Sequence, residues 1–330
     1  MRKPALISAM IAAAMPAAAA VPDDIARHVA AGRAAAAPDF PGLASLCDIA
    51  PRTSLTSPGA RGVAAPAATS RQRDVAVAPR KVFDNLYFVG TSGVSAWVLR
   101  TSAGLILIDA LNNEREARDV IVAGMARLGL DPAQIKYLVI THGHGDHYGG
   151  SNHIVDTYHP RVVMSAADWS LVEDDTRRLD LPDWGPPPKR DVVAKAPRDT
   201  LTLGDTSVTL VATPGHTEGT LSLLFPVFDK GRRHQAVLWG GTGFNFGALV
   251  DRYRAYARSA SVVQRDAVAR RVDVFLSNHP ARDETLRKFA AMDGGKSAGN
   301  PFVLSTARVS KAFDVFRECA TANALAASAK

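Results

Sequence analysis

Cysteine is almost absent from this chain of 330 residues, which carries only Cys47 and Cys319. Two thiols exclude a four-thiolate metal site and a small disulfide-stapled scaffold. They leave open one disulfide or two free thiols. A strong charge of one sign is also missing. Lysine plus arginine number 39 against 32 for aspartate plus glutamate, and the net +7 is scattered along the chain. That balance argues against nucleic acid as a partner, because phosphate recognition draws on clustered basic charge. Beyond Val21 no apolar run is long enough to span a bilayer, so no stable membrane insertion is expected once the amino-terminal segment is removed. There is no internal repeat. With 47% apolar and 22% charged residues, the composition excludes collagen-like and wholly disordered chains and suits an ordinary globular protein.

The amino terminus has the pattern of an export signal. Met1-Arg2-Lys3 supplies a positive start, Ala5 to Met15 an uncharged apolar run, and Ala18-Ala19-Ala20 a small-residue cleavage site. Cleavage after Ala20 would place the mature protein in the periplasm or outside the cell, where Cys47 and Cys319 could pair. Residues 21–79 read as an Ala/Pro-rich extension and linker, helical over Asp23 to Ala37 and broken by Pro58-Gly59, Gly62, Pro66 and Pro79. The compact part is expected from Arg80 onwards.

From Arg80 apolar strand patterns alternate with helical ones. Val82 to Val89, Val94 to Leu99, Gly104 to Asp109 and Ile135 to Ile140 read as strands, with a helix over Glu114 to Leu128. Further strands are expected at 161–164, 200–203, 208–212, 221–225, 236–239 and 272–276, and helices at 251–271 and 306–325. Strands and helices intermixed in this way give an α/β or α+β class with helices covering sheets. Leu181 to Pro197 is proline-rich and polar, a long loop of the kind that often carries function.

The most informative segment is Thr141-His142-Gly143-His144-Gly145-Asp146-His147, placed directly after an expected strand. Imidazole and carboxylate are the usual ligands of zinc. The glycines between them allow sharp turns, so that neighbouring side chains can converge. Thr213-Pro214-Gly215-His216-Thr217-Glu218-Gly219 and Leu276-Ser277-Asn278-His279-Pro280 each put one more histidine at a strand end.

The heptapeptide resembles the HxHxDH signature of the metallo-β-lactamase superfamily, and the two later segments resemble that family's third- and last-histidine segments in the same order. The resemblance runs from about Arg80 to the carboxyl terminus, making 80–330 the expected catalytic domain. It implies an α+β, four-layer αββα sandwich of two mixed sheets, with the metal site on their shared rim. It implies two zinc ions, one held by His142, His144 and His216, the other by Asp146, His147 and His279. His28, His153, His159 and His234, the other four of nine histidines, lie outside the motifs and are expected to be surface or structural residues. Leu238 to Phe244 contains neither the bridging aspartate of glyoxalase II types and lactonases nor a cysteine ligand. What remains is similar to the third subclass of class B β-lactamases.

The activity implied is opening of a β-lactam amide by a metal-bound hydroxide that Asp146 orients, with antibiotic resistance as its consequence. The partner is a small-molecule substrate. Asp109 either hydrogen-bonds a ligand histidine from behind or serves a cap or turn. Thr242 and Phe244 fall where that subclass holds the substrate. Trp169, Trp184 and Phe244 either line the pocket or pack in the core. The alternatives are a zinc-dependent lactonase or esterase, and a non-catalytic binding protein on the same scaffold. The arginines of 252–271 are expected to form a solvated face.

Overall fold

The computed structural model describes residues 22–49, 74–295 and 299–329. The expected export signal at 1–20 and most of the expected linker lie outside the described residues. Seven strands form one sheet in chain order: β1 (Arg80–Lys81), β2 (Leu86–Phe88), β3 (Trp97–Thr101), β4 (Gly104–Ile108), β5 (Ile135–Val139), β6 (Arg161–Ser165) and β7 (Val192–Ala194). The second sheet contains β8 (Arg198–Leu203), β9 (Thr206–Ala212), β10 (Leu221–Asp229), β11 (Arg232–Trp239) and β12 (Val274–Ser277), in the spatial order β12-β11-β10-β9-β8. Both sheets are mixed: β4 to β7 run parallel, as do β11 and β12, and the other pairs are antiparallel.

The central strands are apolar on both faces, as strands covered on both sides must be. In β4, Ile106 and Ile108 face the core between the sheets, while Leu105 and Leu107 face outwards into a second apolar layer. In β11, Ala236 and Leu238 face the inter-sheet core, and Val237 and Trp239 face a third layer. The outer layers are helices: α1 (Asp23–Ala36), α2 (Glu114–Glu116), α3 (Ala123–Arg127), α4 (Gly145–Tyr148), α5 (Ser151–Tyr158), α6 (Ala166–Glu173), α7 (Val250–Ala269), α8 (Thr285–Asp293) and α9 (Thr306–Ser328). A π-helical turn over Ala117–Val122 joins α2 to α3, so the helix expected over 114–128 is continuous but locally widened. The order helix, sheet, sheet, helix is the expected αββα sandwich.

The compact unit begins earlier than Arg80. α1 lies along α9, and Ala36, Phe40, Leu43 and Leu46 join the apolar layer outside the second sheet. Phe40 meets Phe275 edge-on at 5.2 Å. Asp39 pairs with Arg308, and a disulfide joins Cys47 to Cys319 across 272 positions. Alanine-rich helices show little periodicity in sequence, and the partner of this one lies at the far end of the chain. Replacing both cysteines by alanine removes a cross-link that restrains the unfolded chain, with an expected loss of about 3–5 kcal/mol. Urea denaturation of the double variant checks this, and its metal content should match the parent chain.

Sheet topology decides where function can sit. β4, β5, β6, β9, β11 and β12 all end at the same edge. The segments that leave them carry Asp109, the 141–147 loop, Asp168, the 213–219 loop, the 240–247 loop and His279.

Candidate metal centre

Three histidine nitrogens converge at this rim. His142 Nε2 lies 3.1 Å from His144 Nδ1 and 3.1 Å from His216 Nε2. All three side chains are buried. The tautomers of His142 and His216 follow from what stands behind them. The Gly243 carbonyl can only accept, so His216 Nδ1 donates to it at 2.9 Å and Nε2 keeps its lone pair. Thr141 Oγ1 gives its proton to Asp109 Oδ2 at 2.9 Å and therefore accepts from His142 Nδ1 at 3.1 Å. His142 Nε2 thus keeps its lone pair too. Two buried lone pairs facing each other repel unless a cation lies between them. The separation is close to the edge of about 3.3 Å of a tetrahedron around zinc with Zn–N near 2.0–2.1 Å. Burial holds the His142 and His216 pKa values well below the ordinary imidazole value, and that of His144 down at about 4. Unprotonated imidazole is the form that binds metal.

A second donor set lies beside the first. His147 Nδ1 donates to Asp109 Oδ2 at 2.9 Å, and His279 Nδ1 to the Gly93 carbonyl at 2.8 Å. Their Nε2 atoms lie 3.4 and 4.0 Å from Asp146 Oδ2. Among the described residues His147 Nε2 is buried with no hydrogen-bond partner, as is His144 Nε2. Burial opposes charge on His147, but Asp146 and Asp109 overcome it and raise its pKa to about 10. Burial likewise opposes charge on Asp146, and the neighbouring His147, His279 and His144 hold its pKa well below the ordinary carboxylate value. The negative charge of Asp146 and Asp109 that draws a proton here would also attract a divalent cation, which binds by displacing that proton. The donor atoms present therefore fit a histidine- and carboxylate-bound metal.

Several residues that organise the site carry no motif. Asp109 is wholly buried and takes a left-handed backbone at φ 62°, which turns its carboxylate from the end of β4 towards both His147 and Thr141. Asp168, in the first turn of α6, accepts from Gly143 N at 2.9 Å, Thr217 Oγ1 at 2.7 Å and Gly219 N at 3.0 Å. One carboxylate thus ties the loop of His142 and His144 to the loop of His216. Burial raises its pKa to about 6 against these hydrogen bonds. Asn278 Nδ2 donates to Gly240 O at 2.5 Å and Thr141 Oγ1 at 3.1 Å, linking three rim segments. Asp168→Asn turns an amide donor towards groups that already donate. It is expected to lower metal affinity by about tenfold or more, read by competition with a coloured chelator.

The glycines of the heptapeptide serve a different purpose from the expected sharp turns. Gly143 and Gly145 do not adopt positive φ. A Cβ on Gly145 would stand 2.4 Å from the Trp184 ring, so this position is glycine because the indole closes over it. Trp184, in the long loop, stacks on His144 with ring centroids 6.5 Å apart.

Two expected substrate contacts are corrected. Phe244 turns inwards, 1% exposed, against Phe246, Tyr253 and Tyr256 at 4.9–6.0 Å. A large apolar ring gains more from that aromatic layer than from solvent at the rim. Thr242 is 4% exposed and its hydroxyl is engaged by Ser277 Oγ at 3.2 Å rather than open at the rim. Trp169 is likewise core, donating to the Val192 carbonyl at 2.9 Å. Of the three expected aromatic candidates, Trp184 alone stands at the site.

Comparison with known proteins agrees with this geometry. Residues 89–227 match the model of the metallo-beta-lactamase superfamily. BJP-1, a subclass B3 metallo-beta-lactamase of Bradyrhizobium japonicum, superposes with a TM-score of 0.60 at 30% identity, over 73% of this chain and 92% of that one. The uncharacterized protein YobT of Bacillus subtilis (strain 168) is 37% identical over 97 residues, 27% of this chain and 41% of YobT. A hydroxyacylglutathione hydrolase of Acidiphilium cryptum (strain JF-5) is 27% identical over 130 residues, 39% of this chain and 44% of that protein. The chain thus spans less than half the length of the curated relatives it matches. Matched over its fold by the family model and by a solved structure at 30% identity, this chain is a member of the metallo-β-lactamase superfamily, with its structural likeness to subclass B3.

Proposed function

We propose that this protein is a dinuclear zinc hydrolase, exported to the periplasm or beyond, that opens the cyclic amide of β-lactams. The observation that carries the reading is the donor set: three histidines beside Asp146, His147 and His279, with neither carboxylate nor cysteine from Leu238 to Phe244. Likeness to BJP-1 over 92% of its length supports it. Among the described residues no helix is long and apolar enough to cross a membrane. The amino-terminal pattern and the Cys47–Cys319 disulfide favour an oxidising compartment.

When bound, zinc supplies Lewis acidity to a carbonyl oxygen and acidifies water. The protein's own residues do the rest. Asp146 and His279 are 21% and 23% exposed while His147 is closed off, so Asp146 is the carboxylate able to orient a water. Asp109 and the Gly243 and Gly93 carbonyls fix the tautomers that aim His147, His216 and His279 inwards. Trp184 walls the His144 side with apolar surface, excluding water from one flank.

A second reading, a zinc-dependent lactonase or esterase, draws on the likeness to the hydroxyacylglutathione hydrolase. Hydrolysis of a carbapenem by the purified protein, with zinc and then with a chelator, tests the choice. The expected result is chelator-sensitive turnover at kcat/KM of about 10⁴ M⁻¹s⁻¹ or more. No carbapenem turnover alongside rapid cleavage of a lactone or thioester would transfer the site to the second reading.

A further inference from the structure

Among the described residues Arg252 forms no direct ion pair, although Glu218 and Asp168 lie near enough for their charge to act on it. It stands half-buried in the first turn of α7, where burial and the helix dipole both disfavour a cation. Its neighbours on the other side are the histidines of the metal centre. Its Nε donates to the Gly215 carbonyl at 3.0 Å, a terminal nitrogen donates to the His216 carbonyl, and the guanidinium lies 4.5 Å over the Phe246 ring. Carbonyls and a ring leave the net charge in place. Among the described residues no carboxylate pairs with it. Glu218 is turned to Arg177 at 3.4 Å, and Asp168 is committed to Gly143, Thr217 and Gly219.

The same arginine lines a cavity of about 250 Å³ that reaches His144. Leu171 and Leu249 give it apolar walls, and the Arg177–Glu218 pair stands in its lining. Its charge is felt at His144, His216 and Asp168. A retained positive charge beside a metal site raises the cost of binding the cation unless it meets an anion brought by the ligand.

We infer that Arg252 and this cavity form an anion subsite that receives a negatively charged, otherwise apolar arm of the substrate on the His144 side of the centre. The inference rests on the hydrolase reading of the same site and names its substrate class: small molecules carrying an anionic group at a distance from the bond that is cut. Arg252 is a specificity-determining residue here, not a catalytic one.

Calorimetric titration of the zinc-loaded protein tests the subsite without turnover. The probes are glutarate, adipate and pimelate, each against its monomethyl ester. Both members of a pair can place one carboxylate at the metals, and only the diacid offers a second charge. At least one diacid is expected to bind about tenfold more tightly than its ester, as a charge-assisted hydrogen bond allows. Arg252→Gln, which keeps a donor for the carbonyls, should shrink that ratio to within about twofold, and Arg252→Lys should restore part of it. Equal binding within every pair of the parent protein overturns the inference, as does a preference that survives Arg252→Gln. A variant with altered circular dichroism is set aside, and the parent ratio and Arg252→Lys then decide. Carbenicillin, with a side-chain carboxylate, should also show a lower KM than ampicillin. If no penicillin is hydrolysed, the β-lactamase reading fails while the titration still judges the subsite.

Discussion

Replacing His142 by alanine is expected to lower hydrolytic turnover by about a thousandfold or more and to strip the centre of metal. His142 occupies the middle of the constellation. Its Nε2 is 3.1 Å from donors on both other histidines of its set, and its ring centroid is 4.2 Å from that of His147. It is also held from behind by Thr141, so its position is fixed before any ion arrives. Losing it removes one of three donors and the lone pair that faces His216. Lewis acidity worth several kcal/mol is lost with the ion, which is the origin of the expected factor. Metal analysis, circular dichroism and kinetics on one preparation check it. A variant that retained full metal and full turnover would show that this histidine is not a ligand.

Changing Asp109 should have the second largest effect, although it need not touch a metal. Its carboxylate accepts from Thr141 N at 2.8 Å, Thr141 Oγ1 at 2.9 Å and His147 Nδ1 at 2.9 Å, wholly out of solvent. Alanine leaves three buried donors unpaired, and breaking such a buried charged network costs about 3–5 kcal/mol. Alanine also tolerates the left-handed backbone at this position less well than aspartate does. Asparagine separates the two roles. Its oxygen can still accept from Thr141 N, but its amide then faces Thr141 Oγ1 and His147 Nδ1 and favours the wrong tautomer of the histidine. Metal affinity is expected to fall about 10–100-fold for Asp109→Asn, with a smaller loss of stability than for Asp109→Ala. Chelator competition and urea denaturation of the two variants resolve the roles. Equal stability and equal metal affinity in all three proteins would refute this account of Asp109.

The parts legible in the sequence are those whose partners are close along the chain or that mark strand ends. His142, His144, Asp146 and His147 lie within one loop, and His216 and His279 follow apolar runs that read plainly as strands. Alternating apolar segments on both sheets made the layered class legible for the same reason. What escaped depends on contacts across long separations. Asp168 joins residues 25 positions before it and 49 and 51 positions after it, and nothing local distinguishes it from a helix-start aspartate. Arg252 sits in an arginine-rich helix whose periodicity suggests only a solvated face, yet its donors reach the His216 loop. The inward turn of Phe244 is not legible because a position beside the centre does not reveal which way a ring turns, and the aromatic layer of Phe246, Tyr253 and Tyr256 draws it inwards. The packing of α1 is not legible because alanine gives a helix without marking its buried face.

On the proposed function, each of the two donor sets on this rim holds a zinc ion. Anomalous diffraction at the zinc absorption edge, from crystals of the zinc-loaded protein, tests it most directly. Two peaks are predicted, one among His142 Nε2, His144 Nδ1 and His216 Nε2, the other among Asp146 Oδ2, His147 Nε2 and His279 Nε2. A single peak, or peaks away from these six atoms, would contradict it.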